Sequence, residues 1–145
     1  MTAMSPGELV REYLRRMAAS FGGGPSPLDL MHPDVRVTLP GTSVISCSTT
    51  GKDRYLERAT AIGPRLDHKV GLTLAVEHII EEGNTVAVFA KGRAEGTYGL
   101  PYNNDYFFLF RTEGNFIIDI FEWCDLSLIQ TALFGESILT CGKEA

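Results

Sequence analysis

The chain has 145 residues, of which 44% are hydrophobic and 21% charged, so we expect one globular domain spanning residues 1–145. Its net charge of −5 and its scattered Lys and Arg residues exclude the basic stripe of a nucleic-acid-binding protein. The N-terminus lacks the pattern of a signal peptide, no apolar run is long enough to cross a membrane, and three irregularly spaced cysteines are typical of reduced thiols, so we expect a cytoplasmic protein.

The first part of the chain predicts two amphipathic helices with a short strand between them. Ser5 can cap a helix and Glu8 can complete a capping box, and apolar residues then recur at helical spacing over Glu8–Ser20. Alternating residues predict a strand over Val35–Leu39, which a Pro-Gly pair ends. A second helix is predicted over Gly51–Ile62, where apolar residues again recur at helical spacing.

The second part of the chain predicts a meander of four long strands. Their expected ranges are Val70–Ile80, Val86–Glu95, Tyr102–Arg111 and Asn115–Cys124, and a short helix over Asp125–Phe134 follows with Asp125 as its cap. The element order predicts an α+β domain with helices on one face of an antiparallel sheet. Because the last two strands carry large apolar residues on both faces, we expect a pocket or core on one face and a homodimer interface on the other.

One acidic residue interrupts the apolar strand near the C-terminus. With alternating side chains, Glu122 shares a face with four apolar residues, namely Phe116, Ile118, Ile120 and Cys124. A carboxylate at such a site must find partners or hold its proton near neutral pH. Since a carboxyl group in an apolar pocket is a common design for acid–base catalysis, Glu122 is the first candidate for a catalytic residue.

Asp105 is the second acidic candidate. It alternates in step with Asn103 and Phe107, and counting outward from the Glu113-Gly114 turn places Phe107 roughly opposite Glu122 and Asp105 about one residue pair further along. If the two acids reach a common face, they supply an acid and a base. That outcome depends on a register that a slip of one residue reverses.

Each candidate also has a structural interpretation. Glu122 can pair with Arg93 or Lys91 on a neighbouring strand, and Asp105 can organise a turn beside two asparagines. His78 can be a core or interface histidine as well as a proton shuttle. Three scattered histidines without ligand spacing predict no metal site.

Four stretches carry a resemblance to the nuclear-transport-factor-2-like (NTF2-like) superfamily, in its SnoaL-like polyketide cyclase and ketosteroid-isomerase branch: Leu9–Arg16, His32–Gly41, Thr50–Leu56 and Tyr102–Asp125. The last stretch resembles the family's Tyr-x-Asn-x-Tyr strand, turn and closing Glu-Tyr-x-Asp strand, which reads Glu122-Trp123-Cys124-Asp125 in this chain. The resemblance implies a cone-shaped, curved antiparallel sheet with N-terminal helices on its concave face, a cystatin-like α+β barrel.

The resemblance also implies roles for individual residues. Tyr13 falls where ketosteroid isomerases place their oxyanion-hole tyrosine, whereas Leu39 stands where their general-base Asp is found. Their second Asp, which is protonated, corresponds to the stretch from Asn103 to Asp105. Glu122 stands at a position that resembles the pocket acid of several SnoaL-like relatives. Steroid isomerisation by the usual route is therefore not expected.

The resulting prediction is a cofactor-independent enzyme, an isomerase, cyclase, dehydratase or retro-aldol-type lyase, that acts on a small hydrophobic, aromatic or polycyclic molecule. The predicted catalytic residues are Glu122, Asp105, Tyr13 and His78, and the predicted substrate-binding residues are Trp123, Phe107, Asn103, Tyr55 and Leu39. Two alternatives stay open: a non-catalytic ligand-binding or dimerisation module, and an epoxide hydrolase of the limonene-epoxide-hydrolase type, for which Asp105, Arg93 and Glu122 would have to imitate an Asp–Arg–Asp relay.

Overall fold

Three helices and six strands make up the fold in the computed structural model, which describes residues 2–136. The helices are α1 (Pro6–Ser20), α2 (Lys52–Ile62) and α3 (Leu126–Leu128), and α3 continues as a π-helical turn over Ile129–Leu133. The strands are β1 (Met31–Leu39), β2 (Cys47–Thr50), β3 (Thr73–Glu82), β4 (Thr85–Arg93), β5 (Asp105–Glu113) and β6 (Phe116–Trp123). None of the described helices is long and apolar enough to cross a membrane.

Helix α1 begins with the capping box that the sequence predicts. The Ser5 side chain accepts a hydrogen bond from the Glu8 backbone N–H at 3.1 Å, and the Glu8 carboxylate accepts one from the Ser5 N–H at 2.7 Å. The Gly7 N–H donates to Glu81 on β3, which ties the start of the helix to the sheet. The apolar stripe of α1 is buried against the sheet, and it includes Tyr13. The cap and this stripe therefore fix which residues of α1 face the interior.

The strands form one curved, mixed sheet in the order β2-β1-β6-β5-β4-β3. The predicted antiparallel meander of four strands, β3 to β6, is confirmed. One pair differs from the expected antiparallel arrangement, because β1 runs parallel to β6, with Val37 opposite Ile120. The α+β class with helices on a curved sheet is confirmed, and the sheet is open rather than closed into a barrel.

Helices cover the inner face of the sheet, whereas no element of the described chain covers the outer face. Along β5, Tyr106, Phe108 and Phe110 are buried, whereas Phe107 and Leu109 are 59% and 46% exposed. This strict alternation is that of a strand with one face in the core. The outer face thus carries large apolar side chains that no other element within residues 2–136 covers.

The register between β5 and β6 corrects the sequence prediction by one residue. Phe108, not Phe107, lies opposite Glu122, and Phe107 lies opposite Trp123. Because side chains alternate with a period of two, this one-residue difference moves Asp105 to the face opposite Glu122. The condition under which Asp105 and Glu122 would share a face is therefore not met.

Two β-bulges change which residues face inward. In β6 the register shifts between Arg111 and Thr112, so Ile117 is buried and Phe116 is exposed; the prediction that Phe116 shares the face of Glu122 is wrong. In β3 a shift between Val76 and His78 turns His78 outward, where the alternating pattern had placed it with the buried apolar residues. An extra residue in a strand cannot be read from alternation alone.

Candidate functional site

A cavity of about 90 Å³ lies between the helices and the inner face of the sheet. A single buried water needs roughly 10–15 Å³ by the same kind of measure, so there is room for a small ligand. Most of the lining is apolar, from Met17, Phe21, Leu39, Ala59, Ile62, Leu66, Leu72 and Ile129. Among the described residues, the polar side chains in the lining are four tyrosines, one arginine and one glutamate: Tyr13, Tyr55, Tyr102, Tyr106, Arg58 and Glu122.

Glu122 reaches the cavity from β6, and its side chain is 18% exposed. Burial raises the pKa of its carboxyl group, and the positive charge of Arg58 opposes that rise. Within residues 2–136 the carboxyl oxygens take part in no hydrogen bond. Every polar side-chain atom there that has no hydrogen-bond partner is accessible to solvent. The carboxyl oxygens are therefore open to the cavity, where a ligand can meet them.

Arg58 is the cation next to Glu122, with 3.8 Å between its Nη2 atom and Oε2 of the carboxylate. This distance is that of a loose ion pair and not of a hydrogen bond. The alternative in which Glu122 pairs with Arg93 or Lys91 is excluded, because both residues lie on β4 at positions that face away from the buried residues of that strand. Arg58 was missed by sequence reasoning, although its spacing from Tyr55 and from Ile62 puts it on the apolar side of α2.

Two buried tyrosine hydroxyls meet between α1 and α2. The oxygen atoms of Tyr13 and Tyr55 are 3.0 Å apart. Burial raises the pKa of Tyr13, and the neighbouring Tyr55 and the negative charge of Glu122 raise it further; burial also raises the pKa of Tyr55. Both groups stay protonated at neutral pH. Because the two hydroxyls share one hydrogen bond, one hydroxyl hydrogen is left to donate to another acceptor in the cavity.

A second tyrosine pair lies on the sheet side of the cavity. The hydroxyl oxygens of Tyr102 and Tyr106 are 3.0 Å apart, and burial raises the pKa of both groups. The amide of Asn104 donates to the Tyr102 oxygen at 3.3 Å and to the Asp125 carbonyl at 3.0 Å, while its oxygen accepts from the Asp125 N–H at 3.0 Å. Asn104 donates to this pair and does not accept from it. Because the two hydroxyls share one hydrogen bond, one hydroxyl hydrogen is again left for a ligand.

The structure brings four of the residues selected from the sequence into the cavity, namely Glu122, Tyr13, Tyr55 and Leu39. Their roles in binding or catalysis stay predictions. Asp105 and Asn103 are exposed, because the strand alternation and its register turn them away from the inner face. The buried neighbour Asn104, 2% exposed, is the residue that contacts the tyrosine pair. Asn104 alternates in step with Tyr102, Tyr106 and Phe108, which was the signal in the sequence that could have identified it.

Three other selected residues lie on the outer face. His78 stacks on Phe89 with 6.2 Å between ring centroids, and Phe89 stacks on Phe107 at 4.6 Å. Trp123 is 58% exposed and stacks on Phe121. These residues do not line the cavity, so their expected places in the site are wrong. Aromatic side chains at an exposed sheet face are typical of a protein interface, which explains why they resembled pocket walls in the sequence.

The structure contains no relay of the epoxide-hydrolase type made from the expected residues. Asp105 and Arg93 are exposed on the outer face, on the other side of the sheet from Glu122. In the part of the chain that the structure describes, no three His, Cys, Asp or Glu side chains are grouped so as to hold a metal ion.

No family model matches the sequence, and no curated protein matches it at a significant level. Solved structures do match, among them a candidate isomerase from Bacillus subtilis with 19% identity, which covers 94% of this chain and all of the other at a TM-score of 0.76. A candidate SnoaL-like polyketide cyclase from Jannaschia sp. CCS1 has 18% identity, 94% and 100% coverage and a TM-score of 0.68. An NTF2-like protein of unknown function from Burkholderia pseudomallei K96243 has 18% identity, 90% and 98% coverage and a TM-score of 0.68. These alignments extend over nearly the whole chain, and they show that it has the NTF2-like α+β fold.

Proposed function

We propose that the protein is a cofactor-independent enzyme that moves a proton within a small hydrophobic, aromatic or polycyclic molecule. Isomerisation, cyclisation, dehydration and retro-aldol cleavage all share such a step. Structural neighbours described as a candidate isomerase and a candidate polyketide cyclase support this class of chemistry. One fold hosts many activities, so the residues of the cavity and not the fold distinguish this chemistry.

The observation that carries the proposal is the carboxyl group of Glu122 in an apolar cavity. Its pKa is raised by burial, so at neutral pH it is a better proton acceptor than an exposed glutamate. Its carboxyl oxygens are open to the cavity, and Arg58 at 3.8 Å does not occupy them with a hydrogen bond. A carboxyl group that was only structural would be expected to hold close partners.

The tyrosine hydroxyls complete the proposed step. Glu122 takes a proton from a carbon next to a substrate carbonyl, and the electron pair of the broken C–H bond moves to the carbonyl oxygen, which becomes an enolate. The free hydroxyl hydrogen of the Tyr13–Tyr55 pair or of the Tyr102–Tyr106 pair donates to that oxygen. Protonated Glu122 then returns the proton to a different carbon atom, which gives an isomer and restores the carboxylate.

The test is deuterium incorporation into a simple carbon acid. The wild-type chain and two matched variants, Glu122→Gln and Glu113→Gln, are incubated with 2-tetralone in D₂O, and the loss of the acidic C–H signal is followed by NMR. Glu113 is exposed beside the β5–β6 turn, so its replacement removes a carboxylate without touching the cavity. We expect the wild type and Glu113→Gln to accelerate exchange, and Glu122→Gln to lose roughly 10²–10⁴-fold of that rate.

The proposal fails if Glu122→Gln retains the wild-type exchange rate. It also fails if the wild type does not accelerate exchange of any carbon acid that binds in the cavity, because the site is then a binding module without catalysis. Melting curves of the three proteins show whether a lost rate reflects lost folding.

We further propose that two copies of the chain associate through the outer face of the sheet. The largest exposed apolar side chains on this face are Ile80, Phe107, Leu109, Phe116 and Trp123. Monomeric proteins rarely leave an apolar patch of this kind in contact with water. A two-fold interface pairs the same patch on both copies, so a face rich in stacked aromatic rings can cover itself.

A further inference from the structure

Arg58 enters the cavity with most of its hydrogen-bonding capacity unused. A guanidinium group carries five N–H donors. Among the described residues, the one hydrogen bond it forms runs from Nη1 to the sulfur of Cys47, at 3.6 Å, and sulfur is a weak acceptor. Its carbon atom Cζ lies 5.9 Å from the centre of the Tyr55 ring, and its contact with Glu122 is too long for a hydrogen bond. Only 20% of the side chain is exposed.

A cation withdrawn from water in this way lacks the acceptors that normally offset its lost hydration. Every buried polar side-chain atom within residues 2–136 has a hydrogen-bond partner, so Nε and Nη2 of Arg58, which form no hydrogen bond, must have access to open space. That space includes the cavity, which Arg58 lines together with Glu122. The unused donors therefore point to an acceptor that comes with the ligand.

We infer that Arg58 binds a carboxylate group of the ligand, and that the substrates are small aromatic or polycyclic carboxylic acids. The inference deepens the proposed function and rests on it, since it assigns a substrate class to the same cavity. The planar fork of a guanidinium fits both oxygens of a carboxylate, which makes this the acceptor it discriminates best. The neutral oxygen atoms of a substrate have the tyrosine hydroxyls as donors and do not need Arg58.

The apolar residues of the lining account for the apolar ring system that we expect in the ligand. Met17, Phe21 and Ile129 are among the apolar walls, and they offer no partner to further charged groups. A ligand with one carboxylate and an apolar ring system uses both parts of the site. Glu122 competes for the same cation, so a bound carboxylate and an ionised Glu122 repel each other beside Arg58.

The experiment compares carboxylates with neutral molecules of nearly the same shape. Benzoate and 2-naphthoate are titrated against benzamide and 2-naphthamide into the full chain at neutral pH, and binding is read from chemical shifts of backbone amides. We expect the wild type to bind the carboxylates about 10- to 100-fold more tightly than the amides, since hydrogen bonds to charged groups have this strength.

Three substitutions assign that preference to Arg58. Arg58→Gln removes the charge and is expected to abolish the preference, whereas Arg58→Lys keeps the charge without the fork and is expected to retain part of it. Arg54→Gln is the matched control, because Arg54 lies on the same helix, is 64% exposed and pairs with Glu57. Glu122→Gln removes the competing carboxylate and is expected to strengthen carboxylate binding.

The inference is overturned if the wild type shows no preference for carboxylates, if it binds none of the four probes, or if the preference survives in a folded Arg58→Gln protein. Should Arg58→Gln fail to fold, the increase expected for Glu122→Gln decides the question, and its absence counts against Arg58. An Arg58-dependent carboxylate preference without deuterium exchange would support this inference and contradict the proposed function. Deuterium exchange without an Arg58-dependent carboxylate preference would support the proposed function and contradict this inference.

Discussion

Arg58 and Glu122 are neighbours in the lining of the cavity, with 3.8 Å between Nη2 and Oε2, close enough for their charges to interact and too far apart for a hydrogen bond. Each comes from a different layer of the fold, Arg58 from helix α2 and Glu122 from strand β6. An opposite charge at this distance holds the pKa of Glu122 lower than burial alone would, yet burial prevails and the pKa is raised. The pair therefore leaves a carboxyl group that exchanges protons closer to neutral pH than a free glutamate does.

The first prediction concerns the pH dependence of stability. Because the folded pKa of Glu122 is above its unfolded value, the folded state binds more protons between these two pKa values, and its stability falls as pH rises through that window. Below the unfolded pKa the carboxyl group is protonated in both states, and its contribution to stability no longer changes with pH. Glu122→Gln removes the titrating group, so we expect its melting temperature to rise relative to that of the wild type as pH rises from about 4 towards neutral. This range begins near the ordinary glutamate pKa of about 4.3.

Paired melting curves of the wild type and Glu122→Gln over this pH range provide the measurement. Glu113→Gln again serves as the control, since Glu113 is exposed, and its difference from the wild type should not follow the same course. A melting temperature of Glu122→Gln that falls relative to that of the wild type as pH rises would contradict the prediction.

The second prediction concerns the Tyr13–Tyr55 pair. Tyr13→Phe leaves the buried Tyr55 hydroxyl without its partner, which is expected to cost about 1–3 kcal/mol of unfolding free energy. Tyr55→Phe should have a similar effect. The double variant removes both hydroxyls, so its cost is expected to be clearly smaller than the sum of the two single costs. Urea denaturation of the four proteins measures the coupling, and strictly additive costs would show that the hydroxyls do not interact.

The third prediction separates Asn104 from its neighbour Asn103. Asn104 is buried and makes three hydrogen bonds, two with the backbone of Asp125 and one with the hydroxyl of Tyr102. At about 1 kcal/mol for each bond, Asn104→Ala is expected to cost about 2–3 kcal/mol of unfolding free energy. Asn103→Ala should stay within about 0.5 kcal/mol of the wild type, because Asn103 is exposed. Similar costs for both substitutions, measured by urea denaturation, would refute the assignment.

The fourth prediction tests the proposed homodimer. Light scattering with size-exclusion chromatography should give the wild type about twice the chain mass of 15.9 kDa. Replacing both Phe107 and Trp123 by Lys puts charges into the apolar outer face and is expected to give the monomer mass. Val44→Lys is the control, because Val44 is an apolar residue, 85% exposed, that is not part of the sheet. A wild type that elutes at the monomer mass would exclude the dimer.

The sequence predicted the elements of this fold better than the pairing between them. Capping at Ser5 and the helical spacing of α1 are local signals, and both correspond to the structure. The parallel pairing of β1 with β6 joins segments far apart in the chain, and nothing in either segment states its partner. The same is true of the bulges, where one extra residue changes the face of every residue beyond it.

The candidate site could be predicted where a polar residue interrupts an otherwise apolar element. Glu122 interrupts an apolar strand, and this conflict marked it without any knowledge of the fold. Tyr13 was placed by resemblance, and Tyr55 lies on the apolar stripe of its helix. Asp105 was misassigned because its environment depends on a register that alternation cannot fix. Arg58 was missed because an arginine on an amphipathic helix is ordinarily exposed, and only the packing of α2 over the sheet shows otherwise.

The bulge in β6 makes the length of this strand matter as much as its composition. It lies between the turn of the hairpin and Glu122, so it determines which residues of the Glu122 end of the strand face the cavity. Deleting the extra residue of the bulge, Ile118, would join the two paired stretches into one regular ladder and leave Glu122 opposite Phe108. A residue inserted between the turn at Gly114 and Glu122 would instead need a second bulge to keep the carboxyl group on the inner face.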